Sequence, residues 1–192
     1  MRYLFAVVLS YMVSCPVYAE VSDRVVLSFG IGAGYPISVE PTSFNQGRQF
    51  RSGVHIGGGL GYILDQRQKF IVSSSVDYTN YSIEVIEGNT VRFDQSAEIV
   101  SLFTDLKLRL RSVGAIVIPY VKGGAGLFRT MREDRIRGQS EIQNRLGFGL
   151  DAGIDLALSE RAGFFAEAQY QVGLTDQKMT QHMPFKVGIF MR

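Results

Sequence analysis

The sequence predicts an all-β fold, namely an eight-stranded antiparallel up-and-down transmembrane β-barrel preceded by a signal peptide. The clearest segment runs from Arg145 to Leu158, where every second side chain is apolar and those between are small or acidic. Successive side chains of a strand point to opposite faces, so this segment has one apolar face and one narrow polar face. Its length suits a tilted strand that crosses a bilayer.

The same alternation occurs in seven further segments, and the connections between segments alternate in length. The eight segments are Arg24–Tyr35, Phe50–Ile63, Phe70–Tyr81, Glu98–Arg111, Ile116–Arg129, Arg145–Leu158, Gly163–Leu174 and Phe185–Arg192. The connections alternate between short and long. The short turns are Leu64–Lys69, Ser112–Ala115 and Ser159–Ala162, and the longer segments are Pro36–Gln49, Ile83–Gln95, Thr130–Asn144 and Thr175–Pro184. Bacterial barrels combine short periplasmic turns with long outer loops, and an even strand number returns both ends to the periplasm.

The composition agrees with this fold class. Of the 192 residues 46% are hydrophobic, yet no stretch after the N-terminus has the roughly 18 consecutive apolar residues of a transmembrane helix. Alternation cancels in a hydropathy window, so membrane strands are compatible with a mean hydropathy near zero. The net charge of +2 gives no case for nucleic-acid binding.

The N-terminus has the features of an export signal. A charged start, an apolar stretch over Leu4–Val13 and the small-residue pattern Val17–Ala19 predict a signal peptide at residues 1–19 and a barrel domain at residues 20–192. We therefore expect export to the outer membrane of a Gram-negative bacterium. The only cysteine, Cys15, lies within this leader, and Met12–Cys15 leaves a lipidated alternative open.

A soluble eight-stranded barrel such as a lipocalin is the main alternative, because alternation does not show which face of the sheet contacts water. The polar face here is made mostly of small residues, which suit the crowded interior of a narrow barrel. They include Gly30, Gly32, Gly34, Gly57, Gly59, Gly61, Ser73, Ser75, Gly124, Gly126, Gly147 and Gly149. Aromatic residues near strand ends predict a girdle at the membrane interfaces. These are Tyr35, Tyr62, Phe70, Tyr78, Tyr81, Phe128 and Phe164.

Charged residues on the polar face predict a network in the lumen. The predicted members are Lys107, Arg109, Arg111, Lys122 and Lys186 against Asp77, Asp105, Asp151, Asp155 and Glu167. Equal numbers of opposite charges favour burial in the ionised form. The turn at Glu160–Arg161 predicts that Asp155 faces Glu167, with the basic row of the fourth strand at a similar height. A narrow lumen favours a salt-bridge plug over a charged eyelet that passes small ions.

His55 is the one residue that suggests catalysis. The turn near Gln66 places it beside Asp77, with Ser73 and Ser75 close, which imitates a hydrolase triad. Serines in mid-barrel offer neither a reachable nucleophile nor an oxyanion hole, so we predict an interior His–Asp hydrogen bond and no catalytic residues. Two isolated histidines, with His182 in the last predicted loop, give no metal set, and no cofactor is predicted.

The third predicted outer loop is rich in arginine. Its arginines are Arg129, Arg132, Arg135, Arg137 and Arg145. Guanidinium groups at a membrane rim can pair with lipopolysaccharide phosphates or reach a sulfated host polymer. A solvated loop of mixed charge is the alternative, because Glu133, Asp134 and Glu141 lie in the same segment.

Two segments resemble the small eight-stranded outer-membrane proteins grouped around the OmpA transmembrane domain, OmpX and the opacity-type surface proteins. Pro119–Leu127 is similar to their strand with Pro-Tyr-Val and Gly-Ala-Gly, and Phe165–Tyr170 resembles their penultimate strand. The final strand has Lys186, Gly188 and Met191 at the positions of the family's terminal assembly signal, with Arg192 where an aromatic residue is expected. The resemblance implies recognition by the β-barrel assembly machinery.

Together these features predict a non-enzymatic monomer that supports envelope integrity or surface interaction. The expected partners are outer-membrane lipid, including lipopolysaccharide, and a host or glycan ligand. A surface adhesin or immune-evasion protein that binds through its outer loops is the alternative. A lipid A-modifying enzyme and a narrow pore are weaker alternatives.

Overall fold

The computed structural model describes residues 24–38, 52–87, 90–111, 114–134, 139–174 and 180–192, which form one closed antiparallel sheet. The strands are β1 (Val25–Ser38), β2 (Gly53–Ile63), β3 (Phe70–Glu87), β4 (Thr90–Arg109), β5 (Val117–Asp134), β6 (Gln139–Ala157), β7 (Ala162–Gly173) and β8 (Thr180–Met191). Each strand pairs with the next, and β8 pairs with β1. The predicted eight-stranded up-and-down barrel is confirmed.

Two further points concern membrane-spanning helices and the predicted leader. No helix among them is long and apolar enough to span a bilayer. The predicted signal peptide, residues 1–19, lies outside them and stays a prediction.

The register of the strands sets the shape of the barrel. The chain of paired residues starts at Val26 and passes through Gly61, Ser73, Asp105, Gly124, Gly149, Gln171 and His182. It returns to β1 at Pro36, ten residues beyond its start, so the shear number is ten. A stagger of this kind in eight strands requires a strand tilt of about 35–45° and leaves a lumen that side chains just fill.

The two faces of the sheet separate as the alternation predicts. Outward side chains form a continuous apolar belt in which Leu60, Leu102, Leu146, Leu150 and Val187 are each about half exposed or more. Inward side chains alternate with them and are largely buried, as on β7, where every second residue from Gly163 to Gly173 is buried. Tyr35 of β1 and Phe185 of β8 meet edge to face on the outside, with ring centroids 5.8 Å apart, where the barrel closes.

The strands differ in length at one end of the barrel. β3 to β6 contain 18 to 20 residues, whereas β1, β2, β7 and β8 contain 11 to 14. The extra residues, 81–87, 90–97, 130–134 and 139–145, form a four-stranded outer extension above the belt. The prediction of long loops at Ile83–Gln95 and Thr130–Asn144 was therefore wrong, since most of these residues pair as strands.

Candidate functional site

The lumen has one wall of small residues and one wall of long charged side chains. β1 and β2 supply the inward glycines at positions 30, 32, 34, 57, 59 and 61, while Lys and Arg side chains project from β4, β5 and β8. A Cβ atom at Gly57 would lie 1.7 Å from Asp77 Oδ1, so a larger residue there would displace the Asp77 carboxylate. The glycines therefore provide the space that the charged side chains of the opposite wall occupy.

Nine of the ten predicted lumen residues lie together inside the barrel. We call this set the charged core: Asp77, Asp105, Lys107, Arg109, Lys122, Asp151, Asp155, Glu167 and Lys186. All except Lys107, whose side chain is 17% exposed, are buried. Within the core five carboxylates face four cations.

Asp155 of β6 joins the two basic residues of β4. Lys107 Nζ lies 2.9 Å from both carboxylate oxygens of Asp155, and Arg109 Nε and Nη2 donate to Oδ2 at 3.1 and 2.8 Å. Lys107 Nζ also lies 3.5 Å from the centre of the Tyr120 ring, which adds a cation–π contact. The predicted proximity of the basic row of β4 to the acidic residues is confirmed.

Lys122 and Glu167 form the centre of a second group. Lys122 Nζ lies 2.7 Å from Asp151 Oδ2, 3.2 Å from Glu167 Oε1 and 3.9 Å from Asp105 Oδ2. Tyr120 donates its hydroxyl to Glu167 Oε2 at 2.8 Å. The Lys122 ammonium group thus forms ion pairs with three carboxylates, so a change at any one of them affects the charge balance of the others.

Lys186 of β8 connects this group to the other side of the lumen. Its Nζ donates to Asp77 Oδ1 at 2.8 Å and lies 3.5 Å from Glu167 Oε1. Asp77 belongs to β3, so this ion pair crosses the interior from β8 past the glycines of β1 and β2. Such a contact fixes the relative position of strands that are not neighbours.

Two predictions about the lumen were wrong. Arg111 is exposed and lies outside the charged core, because β4 ends at Arg109 and Arg111 belongs to the turn that follows. Asp155 pairs with Phe165, and Glu167 pairs with Gly153. The register is shifted by one inward position because the β6–β7 turn begins after Ala157, which keeps the two carboxylates from facing each other.

Apolar side chains also face the lumen. An outer apolar cluster, in which no residue is more than 2% exposed, contains Tyr81, Ala97, Ile99, Phe103 and Phe128. Toward the short turns, buried apolar side chains are interleaved with the charged core, since Ile71 pairs with Lys107 and both Ile118 and Phe165 pair with Asp155. Tyr81 and Phe128 were predicted in the interfacial girdle, but they face inward because their positions in the alternation match the polar face.

His55 lies where predicted, beside Asp77, but its hydrogen bond differs from the prediction. Nδ1 bonds to the Thr79 hydroxyl at 2.8 Å, while Nε2 lies 3.4 Å from Asp77 Oδ1 without hydrogen-bond geometry. Ser75 donates to Asp105 Oδ2 at 3.3 Å and is not coupled to His55. These contacts do not form the nucleophile–base–acid chain of a hydrolase.

His182 was predicted in a loop, yet it is a buried residue of β8. Its Nδ1 lies 3.0 Å from the Tyr81 hydroxyl, and its Nε2 lies 2.9 Å from Gln171 Oε1. Gln171 and Gln169 continue these contacts along β7 to Glu167. Sequence analysis missed this polar chain, although extending the alternation of β8 backwards through Pro184 would have placed His182 inside. Among the described residues, no group of three or more His, Cys, Asp or Glu could hold a metal ion.

The five arginines predicted to act together do not lie on one loop. Arg129, Arg132 and Arg145 belong to strands, and Arg135 and Arg137 lie outside the described residues. Arg129 is half-buried on the outward face, whereas Arg145 pairs with Phe128 on the inward face and contacts Gln143. The backbone of Arg132 pairs with Glu141 in the outer extension. Alternation thus places Arg129 and Arg145 on opposite faces, while a ligand or lipopolysaccharide contact through these arginines stays a prediction.

The closed barrel, its apolar belt and its filled lumen define a class of integral outer-membrane protein. The chain matches the family described as outer membrane protein beta-barrel domain over residues 5–189, and it belongs to that family. It is accordingly a protein of the Gram-negative outer membrane, in which the end with the short turns is the periplasmic end. No curated protein sequence matches the chain significantly.

Several solved structures share this fold at low sequence identity. Neisserial surface protein A is 16% identical, with a TM-score of 0.60 over 88% of this chain and 97% of that one. OprG from Pseudomonas aeruginosa is also 16% identical, with a TM-score of 0.62 over 88% and 94%. The N-terminal barrel of OprF from the same organism is 15% identical, with a TM-score of 0.56 over 88% and 96%. The similarity establishes the shared fold.

Proposed function

We propose that the protein is a non-enzymatic outer-membrane barrel that acts at its outer surface, in envelope integrity or surface interaction. The filled lumen supports this proposal, because the charged core and the outer apolar cluster leave little room for a solute path. Ion pairs such as Asp77–Lys186 cross the interior and connect opposite walls. Activity at the outer end fits this interior better than passage through it.

The outer extension is the observation that carries the proposal. It raises β3 to β6 above the neighbouring strands, and β6 pairs with β7 only as far as Gly147, with one further bond from Leu174 N–H to the Leu146 carbonyl. Above this bond, no described residue pairs with β6 on that side. Ser140, Ile142 and Asn144 direct backbone groups to this side, where they have no partner among the described residues and where we infer that an extended chain can add.

Arg129 supports a contact with lipopolysaccharide at the base of this extension. It is the next outward residue after Leu127 of the apolar belt, from which we infer that its guanidinium lies at the outer rim of the membrane. Its buried Nε has no hydrogen-bond partner among the described residues. A lipid phosphate is the acceptor that the outer leaflet would supply.

A matched pair of deletions tests the proposal. One variant replaces residues 132–141, which join β5 to β6 through the extension, by an Asn-Gly turn; the control lacks residues 40–49 of the connection between β1 and β2. We expect the first variant to lose attachment of whole cells to sulfated glycan or host matrix, or to lose resistance to detergent, while the control retains both. If both properties survive in the first variant, at equal amounts in the membrane, the proposed role of the extension is wrong.

A further inference from the structure

Charges in the lumen are unevenly distributed along the barrel axis. At the periplasmic end Arg109, the last residue of β4, lies beside Lys107, and Arg192 follows the end of β8. The carboxylate that both β4 cations contact is Asp155. Further up the axis four carboxylates of the charged core face only two lysines, Lys122 and Lys186. The periplasmic end therefore has an excess of positive charge.

Two guanidinium groups at this end have N–H donors without an acceptor among the described residues. Arg109 is 1% exposed, and its Nη1 has no hydrogen-bond partner within the described residues. Arg192 contacts Gln68, but its Nε is also buried without a partner in that part of the chain. Burial and the nearby Arg109 guanidinium lower the pKa of Arg192. Buried donors without acceptors are costly, which makes an additional acceptor favourable here.

A cavity of about 60 Å³ lies next to Arg109, with space for an ion and water. Four cations of the charged core and two carboxylates line it: Lys107, Arg109, Lys122, Lys186, Asp155 and Glu167. Both carboxylates are engaged, Asp155 by Lys107 and Arg109, and Glu167 by Tyr120 and Lys122. The opposite wall carries the hydroxyls of Ser28, Ser73 and Ser75.

We propose that this cavity binds one small inorganic anion of the halide class. Arg109 and Lys107 supply the charge, and the Ser73 hydroxyl of β3 can donate from the other side, whereas the Ser28 and Ser75 hydroxyls already donate to the Gly59 carbonyl and to Asp105. Lys107 is the most accessible of the four cations, so it lies on the entry side of the site. An anion here balances the local positive charge in an interior where electrostatic interactions are stronger than in bulk water.

The stability of the refolded barrel in different salts tests the site. The mature chain is unfolded with urea in sodium chloride, sodium bromide or sodium gluconate at equal ionic strength, so that only the anion changes. We expect the urea midpoint to rise saturably with halide and not with gluconate, which is too large for the cavity. Arg109→Gln is expected to remove the halide effect, whereas Arg111→Gln, an exposed arginine two residues away, is expected to retain it.

Bromide diffraction gives a second measurement that needs no variant. Crystals of the wild-type barrel grown in bromide should show an anomalous peak in the cavity, within contact of Lys107 and Arg109. An empty cavity in such crystals overturns the proposal even if Arg109→Gln does not fold. A halide effect of the same size in Arg109→Gln and wild type also overturns it, because the anion would then act elsewhere.

Discussion

Asp155 is the residue that joins the largest number of charges at the periplasmic end. Its two oxygens accept from Lys107 and Arg109, and the side chain is almost completely buried. Removing one member of a buried ion-pair group leaves the remaining charges without compensation, which typically costs about 3–5 kcal/mol. Two cations would be left unpaired here.

We therefore predict that Asp155→Ala lowers the free energy of unfolding by about 3–5 kcal/mol. Glu160→Ala, in the exposed β6–β7 turn, is the matched control and should change it by less than about 0.5 kcal/mol. Urea unfolding of the barrel in lipid vesicles, followed by tyrosine fluorescence or gel mobility, measures both variants. Equal midpoints for the two variants would show that the charged core is not coupled as described.

Two glycines make a second comparison at this scale. A Cβ atom at Gly153 would lie 2.6 Å from Cζ and Oη of Tyr120, whereas at Gly123 the nearest atoms are 3.8 Å away. We predict that Gly153→Ala destabilises the barrel by about 1–3 kcal/mol through overpacking and displacement of Tyr120. Gly123→Ala should be neutral or stabilising by up to about 1 kcal/mol. The same urea unfolding assay measures the stability of both variants. A Gly153→Ala variant as stable as the wild type would contradict the tight contact with Tyr120.

Alternation in the sequence identifies most residues of the charged core, because it assigns each to a face. It does not identify their partners, which depend on register and turn length. Tyr120 and Gln169 were missed for this reason, since nothing in their own segments indicates a bond to Glu167. Arg111 was included wrongly because the alternation continues past the residue at which β4 ends.

At the scale of strands, the alternation in the sequence predicts the membrane-crossing part of each strand, but it does not predict where the strands end on the outer side. The extension of β3 and β4 contains mixed polar and apolar residues, as a loop does, because both of its faces lie outside the membrane. Gly88–Asn89 is a dipeptide typical of tight hairpins and was the available indication of a paired extension. β8 was predicted to start after Pro184, since proline usually ends a strand, but it begins at Thr180.

The boundary between belt and extension gives a prediction for β6. Leu150 and Ile142 both face outward and are 65% and 53% exposed, but Leu150 lies in the apolar belt and Ile142 in the extension. We predict that Leu150→Arg costs about 2–4 kcal/mol of stability in a bilayer, whereas Ile142→Arg costs about 0–1 kcal/mol. Unfolding in phospholipid vesicles measures the difference. Equal costs would place the membrane boundary elsewhere on β6.

At the scale of the whole molecule, the lumen is filled along its length. The outer apolar cluster occupies the outer end, and below it the charged core is interleaved with apolar side chains, as where Ile71 pairs with Lys107 and Ile118 with Asp155. Closure of β8 onto β1 fixes this arrangement, because the residues come from different strands. The sequence predicts a filled lumen from the small residues of the polar face, but the arrangement of its side chains depends on the register.

We predict that the purified barrel shows no steady conductance in planar bilayers at neutral pH. The reason is the cost of removing an ion from water to pass the outer apolar cluster and the tightly paired charged core. Incorporation is verified by the heat-dependent gel mobility of the same sample. Reproducible single-channel steps would show that the lumen is open to ions.

The central claim is that apolar side chains face lipid while small and charged ones fill the lumen. Single cysteines at the outward positions 148, 150, 152 and 154, in a chain that lacks Cys15, can carry a nitroxide label for collision measurements in bilayers. The account predicts high accessibility to oxygen and low accessibility to a water-soluble nickel reagent at all four, with the reverse at Ser140. Access of the nickel reagent to the labels at 150 and 152, as high as at Ser140, would contradict it.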